Sequence, residues 1–215
     1  MSKQSDNIKE INDAWLNLNI DESKIVNPFS IQTEEEFTTK LTWLMTNPEY
    51  FSFICKEMFN IDLLPTQALM LREMWNRKFP MLIASRGFGK SFILSVYAIL
   101  RALLMPGRKV IIVGAAFRQS KILFEYMDSI WRNSPILRDI VGGTGGPRRD
   151  VDMCRLTIGE STVTCLPLGD GTKIRGQRAN DIIADEFASI QREIFENVVA
   201  GFAAVTAYPV ENVRR

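Results

Sequence analysis

Eight residues, Ala84-Ser85-Arg86-Gly87-Phe88-Gly89-Lys90-Ser91, follow the phosphate-loop pattern G-x-x-x-x-G-K-[ST] at every fixed position except the first, where alanine replaces glycine. A loop of this kind constrains the fold, because it works only at a strand-to-helix junction. Its glycines let backbone N–H groups turn toward phosphate oxygens, and the helix start adds partial positive charge. The lysine reaches the terminal phosphates and the hydroxyl binds magnesium. The flanks suit such a junction. Phe79-Pro80-Met81-Leu82-Ile83-Ala84 predicts a short apolar strand, and the run from Phe92 to Met105 predicts a long helix.

The alanine at 84 calls for a second motif, and Asp181-Ile182-Ile183-Ala184-Asp185-Glu186 supplies one. It reads as a buried parallel strand ending in two acids. Ligands of open α/β sheets bind beyond the carboxyl ends of the strands, where such acids meet phosphates and metal. Asp185 is expected to hold Mg²⁺ on the β- and γ-phosphates, through water or directly, and Glu186 to accept a proton from the attacking water. Taken alone, the pair would read as the start of an exposed turn after a core strand.

Composition narrows the chemistry further. The 215 residues are 46% apolar and 24% charged, an ordinary globular balance, with length enough for a large core. Cys55, Cys154 and Cys165 lack C-x-x-C spacing and histidine is absent, which removes support for the usual zinc sites and excludes Ser-His-Asp hydrolysis. Buried thiols in a reducing compartment account for the cysteines. The first twenty residues are polar and carry no secretory signal. The apolar run from Phe92 contains Arg101 and is too short to cross a bilayer, so a cytosolic protein is expected. Residues 1–62 hold 5 Lys/Arg against 11 Asp/Glu, and the remainder 21 against 14. A basic core fits a polyanionic ligand, although such an excess is also common on plain surfaces.

Two domains are expected. Residues 1–60 read as a helical arm or lid, or equally as a plain packing appendage, with a capping signal at Thr33-Glu34-Glu35-Glu36 and a second helix start at Asn47-Pro48. From residue 61 to 215, strands alternate with helices, which indicates a mostly parallel sheet covered on both faces. Lys109 to Gly114 predicts a strand and Phe117 to Trp131 a helix. Gly142-Gly143-Thr144-Gly145-Gly146-Pro147 predicts a loop, and Arg155–Ile158 with Ser161–Leu166 a hairpin around Gly159-Glu160.

Other positions carry chemistry. Gln67, just ahead of the core's first helix, has an amide that can pair with the donor and acceptor edges of adenine, or remain solvated. Arg86 can reach a γ-phosphate from inside the loop, or face solvent. Phe88 is expected to pack beneath the loop. The stretch Gly169-Asp170-Gly171-Thr172-Lys173-Ile174-Arg175-Gly176-Gln177-Arg178 can contact phosphates of nucleic acid or of a neighbour's nucleotide. Arg148, Arg149 and Arg155 flank the glycine loop as further candidates to reach into an adjacent subunit, alongside Arg175 and Arg178.

Together these segments resemble the ATPase domain of the large terminase subunit, the motor that packages DNA in tailed bacteriophages. Ser85-Arg86-Gly87-Phe88-Gly89-Lys90-Ser91 is similar to that family's deviant Walker A, which carries an early arginine and often lacks the first glycine. Gln67 matches its adenine-contacting glutamine, and the segment from Val113 to Ser120 its stretch after the second core strand. Ile174-Arg175-Gly176-Gln177-Arg178 running into Asp185-Glu186 looks like its R-G-x-R stretch before the acidic strand. The resemblance covers roughly residues 60–200. It implies a P-loop NTPase fold of the ASCE, RecA-like kind with an N-terminal helical subdomain. It implies ATP bound by Gln67 and residues 85–91, with Mg²⁺ on Ser91 and Asp185. Glu186 and Arg86 take catalytic roles. The partners implied are double-stranded DNA, the portal protein and procapsid, the small terminase subunit and a self-assembled ring. The place implied is the cytoplasm of the infected bacterium, with no membrane. The family's coupling motif has at best an uncertain counterpart at Thr206, and its nuclease domain has none. An N-terminal part of a longer motor, without DNA cutting, is therefore expected. The alternatives are another nucleic-acid-dependent P-loop ATPase, such as a helicase or remodeller, and a nucleotide-gated interaction module.

Overall fold

The computed structural model describes residues 33–85, 87–114, 116–143, 145–168, 178–199 and 201. Chain contacts divide it into two compact units, Met1–Leu44 and Met45–Arg215. Helix α1 (Glu34–Thr46) begins in the first and ends two residues into the second; it starts where the Thr33 hydroxyl accepts the Glu36 N–H at 3.2 Å, and three glutamates fill its first turn. Acids there complement the helix dipole.

The second unit continues with a 3₁₀ turn (Pro48–Tyr50), capped by the Asn47 side chain accepting the Glu49 N–H. Helix α2 (Phe51–Phe59) buries Phe51, Ile54, Cys55 and Phe59 on one face and ends at Asn60 in the left-handed region. Helices α3 (Pro65–Asn76) and α4 (Lys90–Leu104) follow, then strand β1 (Lys109–Gly114), α5 (Phe117–Asn133) and α6 (Pro135–Val141). Strands β2 (Gly146–Arg149), β3 (Cys154–Ile158), β4 (Ser161–Pro167) and β5 (Asp181–Asp185) complete a five-stranded sheet in the order β2-β3-β4-β1-β5. A 3₁₀ turn (Phe187–Ser189), a short helix α7 (Arg192–Ile194) and a π-helical turn (Phe195–Val199) close the described chain. The protein is thus α/β.

The sheet is mixed. Strand β1 pairs in parallel with both β4 and β5, while β2, β3 and β4 are antiparallel. The expected hairpin forms around Gly159-Glu160, with Gly159 at φ 55°. On one face Val110 and Ile112 of β1, level with Val163 and Cys165 of β4, meet α4 and α5. On the other, Ile111, Val113 and Leu166 are covered by Ile190, Ile194 and Phe195. Helix α4 is buried almost all round, which explains its near-continuous apolar sequence. Its Ser95 hydroxyl donates within the helix to Ser91 O and across to Leu123 O of α5. All three cysteines are free and buried, and burial pushes the Cys55 thiol up to about 12. Among the described residues no helix is long and apolar enough to cross a membrane.

Three expectations from sequence are corrected. The sheet is mixed rather than mostly parallel, because the hairpin and β2 add two antiparallel pairings to the two parallel ones. The apolar run 79–84 is not a strand of the sheet. Phe79, Met81 and Ile83 stand 78–95% exposed, and no sheet strand pairs with the run. Alternating apolar residues make a segment capable of pairing, but a strand exists only once a second segment bonds to it. The glycine-rich stretch is not loop throughout, because Gly146 and Pro147 enter β2. Gly146 has φ 103°, and a Cβ there would lie 3.1 Å from the Trp131 ring, so glycine is required by both backbone and space.

Candidate active site

The loop ahead of α4 turns on Gly87 (φ 79°) and Gly89 (φ 84°), conformations open to glycine and strained for other residues. Gly89 caps α4, so Lys90 and Ser91 occupy its first turn, and the first N–H to bond back, that of Ile93, meets Gly89 O at 3.0 Å. The N–H groups before it are left pointing out of a fifteen-residue helix, which makes a ready anion site. Helix α4 leads through a short turn into β1, so its N-terminus lies at the carboxyl end of the parallel strands. Asp185, level with Gly114, ends β5 at that same end.

Electrostatics ties the two motifs together. Burial pushes the Asp185 carboxyl above its usual value of 3.8, and the charge of Glu186 adds to this. The Glu186 N–H, bonded to Asp185 Oδ1 at 3.1 Å, and the charge of Lys90 pull it back down. The charge of Lys90 is thus felt at Asp185, despite their separation in sequence. Glu186 is exposed and sits at φ 50°, ψ 45°, a left-handed backbone on a side chain that gains nothing locally from it. Strain of this kind costs roughly 1–3 kcal/mol and clusters at working sites.

The sign of the Asp185 shift gives a test. Between 3.8 and its raised native value the folded chain binds more protons than the unfolded one, so stability falls as pH rises through that window. At neutral pH Asp185→Asn is accordingly expected to melt at a higher temperature than the parent without ligand, with the gap closing in acid below the ordinary carboxylate range. The same substitution should remove any thermal shift given by Mg²⁺-nucleotide. Thermal unfolding across pH decides it; a lower melting temperature for the variant at neutral pH would contradict the assigned cause.

Gln67 also belongs to this region. Its Oε1 accepts the Leu64 N–H at 3.1 Å at the start of α3, while its Nε2 lies 3.0 Å from where a Cβ on Gly89 would stand. The glutamine thus rests against the phosphate loop with its amide anchored at one end. Gly89→Ala strains the backbone by about 1–2 kcal/mol and pushes on Gln67. It is expected to weaken nucleotide binding by about tenfold or more, measured by fluorescent-nucleotide titration, and unchanged affinity would disprove the close packing.

The remaining expected residues divide. Ser85 is exposed and Ala84 half-buried. Phe88, expected to pack beneath the loop, is 38% exposed, between the exposed Gly87 and the half-buried Gly89. Arg86 and Arg175 lie outside the described residues, as does most of the basic stretch before β5. Arg149 is bonded to the buried Asp128, which also accepts from Arg132 at 3.0 Å, and its guanidinium lies 5.6 Å from the Phe124 ring. The ion pair holds Arg149 on the α5 side of the sheet. Arg148 and Arg155 alternate to the other face and sit toward the β2 edge, strands away from Asp185. Arg178 precedes β5 at its amino end.

Three residues had no sequence signal as a unit. Asp181 at the start of β5 receives Arg101 and Arg108, from the end of α4 and the turn after it. Its place at the head of an apolar strand was the one available hint.

No group of three or more His, Cys, Asp or Glu among the described residues could cage a metal. A Mg²⁺ ion would suit Asp185 and Ser91 only with phosphate and water supplying most of its oxygens, which is this ion's usual habit. Compared with known proteins, the chain matches no family model and no curated protein.

Proposed function

We propose that the protein is a Mg²⁺-dependent ATPase of the P-loop NTPase class. In this reading it is the ATPase part of a large terminase, driving double-stranded viral DNA into a procapsid. The observation that carries the ATPase reading is that α4 begins with Lys90 and Ser91 at the carboxyl end of the parallel strands, the end at which β5 closes on Asp185 and the exposed Glu186. Bound ATP would supply the phosphoanhydride and Mg²⁺ the charge compensation. The chain's own groups do the rest. Lys90 and the first-turn N–H groups hold phosphate oxygens, and Ser91 and Asp185 offer hard oxygen ligands. Glu186 orients water and takes its proton, and Arg86 offsets charge as it develops. Gln67 faces the adenine while steadying Gly89.

The motor reading rests on the resemblance of the loop, Gln67 and the stretch before β5 to terminases. The portal, procapsid, small subunit and a ring of copies follow from it as partners. Packaging separates it from the helicase reading. The chain, with its full-length motor, should load DNA into empty procapsids with ATP and Mg²⁺ and leave a forked duplex paired. Strand separation without loading would favour the helicase.

A further inference from the structure

The sheet face opposite α4 and α5 changes character along its length. Near the carboxyl ends it is apolar and covered. Near the amino ends it carries Lys109, Thr162, Thr164 and Arg155, and with Arg178 and Ile111 these line a cavity of about 360 Å³. Register makes the patch continuous, because Lys109 stands beside Thr162, and Thr164 lies directly opposite Arg155. One strand further out, Arg148 is directly opposite Arg155 on the antiparallel β2–β3 pair. Like charges facing each other across strands repel. Nothing offsets them here, since Lys109, Arg148, Arg155 and Arg178 form no ion pair among the described residues. Arg155 Nε is buried without a hydrogen-bond partner among the described residues, and its Nη2 donates to Met153 Sδ at 3.4 Å. A buried donor without an acceptor, in a concave wall of cations and hydroxyls, suits an anionic ligand.

We propose that this face is a nucleic-acid backbone seat, with one phosphate in the cavity and its neighbours along the row toward Arg148. A single small anion would satisfy the cavity but leave Arg148 and Arg155 opposed. Neighbouring strands lie about 4.8 Å apart, so the row from Lys109 to Arg148, three strand intervals across, is long enough to meet more than one backbone phosphate. Arginine's planar fork suits phosphate oxygens, and contacts to phosphate carry no sequence information. The seat is at the opposite end of the strands from Lys90 and Asp185. It rests on the charges of this face, not on ATP hydrolysis, although it would supply the track that the motor reading needs.

Anisotropy of a labelled duplex, titrated with the whole chain between low and moderate salt, tests it. Arg148→Gln/Arg155→Gln/Arg178→Gln is expected to lower affinity at least about tenfold and to flatten the plot of log affinity against log salt by about 2–3, roughly 0.9 for each phosphate no longer neutralised. The triple lysine variant should keep most of the slope, which separates lost charge from lost folding. Lys90→Ala should leave duplex binding unchanged, so failure of the ATPase reading does not touch this one. Wild-type affinity and slope in the glutamine variant, or no salt-dependent binding by the parent, overturns the proposal. So does inorganic phosphate binding that these substitutions abolish while duplex binding stays unaltered.

Discussion

Glu186→Gln is expected to stop phosphate release while nucleotide still binds, and Lys90→Ala to lose both. The two acids at the end of β5 have different surroundings. Asp185 is buried and in the field of Lys90, as a metal-side ligand should be, whereas Glu186 is exposed on a left-handed backbone. An amide in place of Glu186 keeps size and hydrogen bonding but cannot take a proton. Loss of a positioned general base typically costs on the order of 10²–10⁴ in turnover. The Gln variant should therefore fall by that factor, with nucleotide affinity within about threefold of the parent. Lys90→Ala removes the cation at the start of α4, and bound nucleotide should become undetectable at concentrations that saturate the parent. Phosphate release by coupled assay, with fluorescent-nucleotide titration beside it, reads both. Equal turnover in the parent and Glu186→Gln would remove Glu186 from the mechanism.

Asp181→Ala should be the most destabilising single change at the sheet. The carboxylate accepts Arg101 Nη2 at 2.7 Å and Arg108 Nε at 2.8 Å, with the Arg101 and Asp181 side chains only 10% and 14% exposed. Arg101 also lies 4.7 Å from the Trp75 ring and 5.8 Å from that of Tyr97, and its Nε already lacks a partner. Deleting the acid leaves a buried guanidinium with no counter-charge, a loss of about 3–5 kcal/mol. Whole-domain stabilities are about 5–15 kcal/mol, and a chain this size shifts by about 2–4 °C per kcal/mol, so the melting temperature should fall by roughly 6–20 °C. Asp181→Leu combined with Arg101→Met should recover part of the loss, because a matched apolar pair avoids the stranded charge. Calorimetry measures this, and a fall below about 2 °C would show that the cluster is not stabilising.

The same cluster marks a limit of reading along the chain. A lone aspartate before Ile182-Ile183 looks like a strand boundary, and nothing local tells which arginines will reach it. Helix α4, β1, the hairpin and β5 were legible because each has its own periodicity and turn chemistry. Arg149 looked as available as Arg148, yet one residue of register turns it to Asp128 on the opposite face. The apolar run 79–84 read as a strand by the same signals as β1, but pairing is a property of two segments, and only one of them is visible in a local pattern.

By itself the sequence determined the parts: a glycine-pivoted loop opening a long buried helix, an apolar strand closing on two acids, and a glutamine ahead of the loop. Backbone freedom, side-chain period and capping are local, and short stretches specify them. Tertiary structure alone decided that Lys90 bears on Asp185, that Gln67 rests on Gly89, and that Arg148 and Arg155 oppose each other beside an open cavity. Those relations depend on parallel register and on which end of the sheet each helix meets, set by packing between segments distant in the chain.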